Sequence, residues 1–126
     1  MLNELATKIH ENARAKGFFE NERNIGEMLC LIHSEVSEAL EADRKGRYTT
    51  IGVKKIRSLA NDNHDDLDFF KSEFEEHIKD TFDDELADVI IRVLDLCAFK
   101  GIDIEAHIKA KMRYNAMREH KHGKSY

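Results

Sequence analysis

Proline and tryptophan are absent from this chain of 126 residues, and glycine occurs only six times. Without proline, helices have to be ended by glycines and capping side chains. Cysteine is nearly absent too. Cys30 and Cys97 are far apart and form no C-x-x-C pair, which points to buried thiols in a reducing compartment rather than a disulfide framework. No apolar run approaches the 18 residues needed to span a bilayer, so no membrane partner is expected. The opening "MLNELATKIHENARAKG" lacks the apolar core of a signal peptide, and a cytoplasmic protein is expected. The net charge is −5, which offers no broad basic face and argues against a nucleic-acid partner. A small anionic ligand stays open if a metal or a local basic cluster neutralises it.

What is present is helix-forming. Hydrophobic residues make up 41% and charged residues 36%, rich in Leu, Glu, Lys, Ala and Ile, which reads as one globular domain over 1–126. Leu2, Leu5, Ala6, Ile9 and Ala13 recur at helical spacing, with Gly17 placed to end the helix. Asn24 and Glu27 suit a capping box opening a second helix that runs to about Arg44, before Lys45 and Gly46. Residues 47–80 have mixed periodicity. "NDNHDD" looks like a turn there, and Phe70, Phe74 and Ile78 suggest a helix over 67–79. Thr81 and Asp84 can cap "FDDELADVIIRVLDLCAFK", the most apolar helix, which Gly101 breaks. Asp103 can cap a last helix, from Ile104 to about His120. The expectation is an all-α fold: an antiparallel bundle of four to five helices.

The second helix contains "LIHSEVSEALEADRKG", which carries a carboxylate inside its own apolar stripe. Met28, Leu29, Ile32, Val36, Ala39 and Leu40 form that stripe at 100° per residue, and Glu35 falls within it. Glu38 sits on the flank. The fourth expected helix presents Glu85 at the border of its apolar face and Asp88 just beyond. Each pair is spaced i, i+3, so each offers two carboxylates from one side of a helix. If the two helices pack along their apolar faces, four carboxylates meet at one edge of the core. One such pair of like charges at 4 Å already costs about 4 kcal/mol near a protein surface. The cluster therefore has to protonate, disperse or bind cations, and an all-oxygen set suits Mg²⁺ or Mn²⁺ better than zinc. A di-iron bundle site needs Glu-x-x-His on two helices. Only Glu119 and His122 have that spacing. Any single E-x-x-E also has a plain reading as a solvated helix face.

Arg92, four residues after Asp88, reads either as an i, i+4 ion-pair partner or as a phosphate contact. On the last helix the apolar stripe of Ile104 and Ile108 continues as Lys111, Asn115 and Arg118. Cations near a helix C-terminus are favoured by the dipole, but their alignment on the inward side suits a polyphosphate. His64 and Asp65 alone do not make an HD-type phosphohydrolase, and no phosphate-binding glycine loop or nucleophile elbow is present.

Taken together, "LIHSEVSEALEADRKG" and "DELADVIIRVLDL" resemble the MazG-like, all-α nucleoside triphosphate pyrophosphohydrolase family. Its E-x-x-E and E-x-x-D signature is matched by Glu35, Glu38, Glu85 and Asp88, and "KMRYNAMREHKHGK" resembles the C-terminal element of its small members. The resemblance implies Mg²⁺ held by the four acidic side chains and cleavage of (d)NTPs between the α and β phosphates, giving a nucleoside monophosphate and pyrophosphate. It also implies a homodimer or homotetramer. Compact members have a much shorter gap between the two acidic motifs, so 47–80 reads as an insertion: a lid, an added helix or an oligomer contact. Within this reading Glu38 is the candidate general base, at the edge where water enters. Glu35, Glu85 and Asp88 are mainly ligands. Lys111, Asn115 and Arg118, with Arg92, are the candidate phosphate contacts, and Phe18, Phe19 or Tyr48 are candidates for the nucleobase. Two other classes remain: a non-catalytic helical interaction module with solvated acidic edges, and a metal-dependent phosphohydrolase acting on a different substrate.

Overall fold

Helix ends are set here by hydrogen-bonded caps. In the computed structural model, which describes residues 1–61, 66–118 and 124–125, the helices are α1 (Leu2–Ala15), α2 (Ile25–Arg44), α3 (Val53–Leu59), α4 (Leu67–His77), α5 (Phe82–Lys100) and α6 (Ile104–Ala116). Side-chain oxygens of Asn24, Asp66, Thr81 and Asp103 accept the amides of Glu27, Phe69, Asp84 and Ala106 at 2.9–3.2 Å. These bonds satisfy donors that a helix N-terminus leaves open. At the other ends, Gly46 and Gly101 take φ of +66° and +69°. That lets Arg47 N reach Ala42 O and Ile102 N reach Cys97 O, both at 2.8 Å, the six-to-one bond of a Schellman motif.

Among the described residues the chain is all-helical, with six helices where four or five were expected. The added one is α3. It has seven residues and begins at Gly52, which has no side-chain oxygen to signal a cap. Helix α6 ends at Ala116, before the expected boundary near His120, where Arg118 N turns back to Asn115 O at 3.2 Å. The expected "NDNHDD" turn and the Glu119–His122 pair fall mostly or wholly outside the described residues. No helix among those described is long and apolar enough to cross a membrane.

The chain divides into two compact units. The first comprises Met1–Arg23 and Val93–Tyr126, so it holds α1, the end of α5, and α6. Its buried apolar residues include Ala6, Leu94 and Cys97. Asn3 Nδ2 donates to Asp103 Oδ1 at 2.7 Å, tying α1 to the start of α6. His10 Nδ1 meets Asp95 Oδ1 at 2.8 Å, with the Phe19 ring edge-on to the imidazole at 4.6 Å.

The second unit, Asn24–Arg92, holds α2, α3, α4 and the first half of α5. The segment 47–80 is fastened at both ends. Phe82 N donates to Arg47 O at 2.8 Å, and Thr49 N donates to Asp83 Oδ2 at 2.9 Å. Lys55 pairs with Glu73 at 2.8 Å between α3 and α4, and Thr50 Oγ1 meets His77 Nδ1 at the same distance. Cys97 is buried as expected, but Cys30 is exposed, because it lies about 160° around α2 from the buried Met28.

Candidate metal centre

Helix α2 divides its wide apolar stripe lengthwise. Met28, Glu35, Ala39 and Ala42 are buried along one line. Ile25, Leu29, Val36 and Leu40 form a neighbouring line and stay exposed, Val36 and Leu40 by about half. The first half of α5 repeats the pattern: Glu85, and Thr81 just before the helix, are buried, while Leu86 and Ile90 are exposed. The buried line thus combines Met28, Ala39 and Ala42 with Glu35, Glu38 stays exposed at the edge, and the neighbouring apolar line faces out.

A carboxylate can remain buried only with a partner. Glu35, 7% exposed, has Arg92: the guanidinium Nε donates to Oε1 at 2.7 Å. Burial disfavours the Glu35 carboxylate, but hydrogen bonds from Arg92 and Glu38 outweigh that and hold its pKa below the usual value. Arg92 is thus bonded across to α2, where an i, i+4 pair with Asp88 was one expectation. Sequence spacing favours partners on the same helix and carries no signal for one on another.

Glu35, Glu85 and Asp88 each bring a carboxylate oxygen within 4.8 Å of the other two. Glu85 is equally buried. Burial first, then the charges of Glu38, Glu35 and Asp88, push it up to about 7, so it holds its proton part of the time at neutral pH. Glu38 is exposed at the rim and hydrogen-bonded to Glu35, which raises its pKa through that bond and the Glu35 charge. Asp88 is raised by burial and by the neighbouring charge of Asp84. Three of the four expected ligands, Glu35, Glu85 and Asp88, are therefore brought together, with Glu38 beside them at the rim.

This donor set fits a hard divalent cation. Carboxylate oxygens are what Mg²⁺ and Mn²⁺ prefer, and three of them within 4.8 Å of one another could converge on one cation by side-chain movement.

The other expected site residues lie on α6 or just after it, in the first unit. Lys111 and Arg118 are exposed there, not inward, and flank the Tyr114 ring at 5.2 and 5.8 Å from its centroid. Two long cations gain more from water and an aromatic face than from burial. Asn115 between them is half-buried, with Oδ1 enclosed and without a hydrogen-bond partner among the described residues. Of the aromatics considered for a base, Phe19 packs on His10 and Phe99, while Tyr48 stacks on Phe82 and bonds Asp43. No family model, no curated protein and no solved structure matches this chain.

Proposed function

We propose that this chain is a MazG-like nucleoside triphosphate pyrophosphohydrolase, a single helical-bundle domain with an inserted segment over 47–80. It cleaves (d)NTPs between the α and β phosphates with Mg²⁺, or Mn²⁺ in its place. The convergence of Glu35, Glu85 and Asp88 from two helices, with Glu38 at the rim, carries the reading. A surface of ordinary solvated acids would not bury two of them at 7% exposure.

Glu35, Glu85 and Asp88 hold the cation. Bound Mg²⁺ neutralises charge that builds on the phosphates and makes water easier to deprotonate. Glu38, exposed beside them, takes the proton from the attacking water. Arg92 is in place to exchange its bond with Glu35 for a phosphate oxygen. The exposed line of Ile25, Leu29, Val36 and Leu40 supports a homodimer or homotetramer, because apolar stripes of this kind are covered in stable proteins. The two free thiols suit the cytoplasm.

Product identification from a panel of NTPs and dNTPs with Mg²⁺, alongside Glu35→Gln, tests the proposal. Monophosphate and pyrophosphate from the wild type alone are expected. Inorganic phosphate in place of pyrophosphate would mean a different phosphohydrolase. No turnover with Mg²⁺ or Mn²⁺ would leave a helical interaction module.

A further inference from the structure

The inserted segment and the start of α5 line a half-open apolar pocket of about 370 Å³, within the size range of small-ligand sites. Ile56 and Leu59 of α3 and Phe70 and Phe74 of α4 supply its apolar wall, and Ala87 of α5 is part of the lining. The two phenylalanine rings stand 6.0 Å apart and tilted by 35°, a surface suited to a flat ring. Phe70, Phe74 and Asp84 also line a second, more polar pocket, whose other residues include Asp88, Lys71 and Lys79. The shared wall makes the two neighbours. One end is apolar and aromatic; the other sets Lys71 and Lys79 among the carboxylates of Glu75, Asp80, Asp84 and Asp88, so a phosphate there needs the cation of the candidate metal centre beside it.

We propose that the pocket formed by α3, α4 and α5 receives the base of the nucleotide, and that the triphosphate runs past Asp84 towards Asp88 over Lys71 and Lys79. This rests on the pyrophosphohydrolase reading and adds a substrate-recognition role for the insertion. Asp84 and Asp88 are four residues apart on α5, a rise of about 6 Å, room for the sugar between base and first phosphate. The polar part of the apolar pocket consists of Thr49, Asp83 and Asp84. One oxygen of Asp83 takes the Thr49 amide, and one of Asp84 takes the Asp80 amide, both at 2.9 Å. With the Thr49 hydroxyl beside them, which can donate or accept, these groups give the edge of a base polar partners at the mouth of an otherwise apolar pocket.

Ala87→Phe fills the pocket from the exposed side of α5, and Phe74→Leu removes a ring while keeping apolar bulk. Each full-length variant is compared with wild type in two measurements, after circular dichroism has established its helicity. The first is quenching of 2-aminopurine riboside, which has a base and no phosphate. The second is kinetics with ATP, CTP, GTP and UTP. Ala87→Phe is expected to abolish the quenching and to raise KM for the nucleotides at least about tenfold, with kcat changed less than about threefold. Phe74→Leu is expected to weaken both by about five- to tenfold, the scale of a lost base–aromatic stack. Wild-type turnover with neither measurement altered in either folded variant overturns the pocket and leaves the hydrolase standing. Riboside quenching that Ala87→Phe removes, in a wild type that turns over no nucleotide, keeps the base pocket and overturns the hydrolase. Equal riboside binding by wild type and Ala87→Phe overturns the pocket whatever the turnover.

Discussion

Arg92 Nε donates to Glu35 Oε1 at 2.7 Å, joining two residues 57 positions apart where α5 meets α2. The guanidinium gives the carboxylate cluster a positive charge of the protein's own. A divalent ion arriving there competes with it, and a phosphate arriving with the ion gives it somewhere to go.

Arg92→Met removes that competitor. Mg²⁺ affinity of the substrate-free protein, measured by calorimetry at fixed ionic strength, is expected to rise several-fold. Without metal the variant should melt several degrees lower, because Glu35 keeps its burial and loses its partner. KM for the triphosphate should rise about tenfold or more. Unchanged metal affinity would show that Arg92 does not compete for the site.

Glu85→Gln and Glu38→Gln should separate ligand from base. The first is expected to weaken Mg²⁺ by about a hundredfold while leaving the metal-free melting temperature at pH 8 unchanged or higher, since a buried like charge is gone. Glu38→Gln should lower kcat by about 10²- to 10⁴-fold, the usual contribution of a general base, with Mg²⁺ affinity within about tenfold. The reverse pattern would exchange their roles.

Stability against pH follows from Glu85. Its folded pKa of about 7 lies above the ordinary value of 4.5, so the folded protein holds the proton more tightly than the unfolded chain. That contribution is complete below 4.5 and is lost as the pH rises towards and through 7. The shifts of Glu38 and Asp88 have the same direction. The lowered Glu35 has the opposite sign, but its stabilisation is lost only as the pH falls below the usual carboxylate range. Metal-free protein should therefore melt lower at pH 8 than at pH 6. Added Mg²⁺ should stabilise it most at pH 8, where the ligands have shed their protons. A flat metal-free profile by scanning calorimetry would contradict the shift at Glu85.

The exposed line on α2 predicts association. Leu29→Glu with Val36→Glu places two charges seven residues apart on that line. Sedimentation should show the wild type as a dimer or larger and the double variant as a monomer with the same helicity. A monomeric wild type would remove the reason for an oligomer.

The sequence made the helix boundaries legible because caps are local: Asn24 with Glu27 and Asp103 with Ala106 each act within one turn. Helix α3 lacked such a mark at Gly52. The meeting of Glu35, Glu85 and Asp88 could be read because two acidic pairs interrupt otherwise apolar helices. Which half of the α2 stripe is buried could not. Val36 and Leu40 are as apolar as Met28 and Ala39, and only tertiary packing decides between them. The bond of Arg92 to Glu35 and the meeting of α3 with Phe70 and Phe74 are likewise long-range facts, without periodicity to announce them.

Cys30 is exposed on α2, while Cys97 is buried and its thiol pKa is raised by that burial. The two thiols therefore keep different clocks towards an alkylating reagent. One equivalent of maleimide should add promptly at Cys30, giving a dye or spin label at a single place without engineering. The second equivalent must wait for the surroundings of Cys97 to open, so its slow addition times the breathing of that unit.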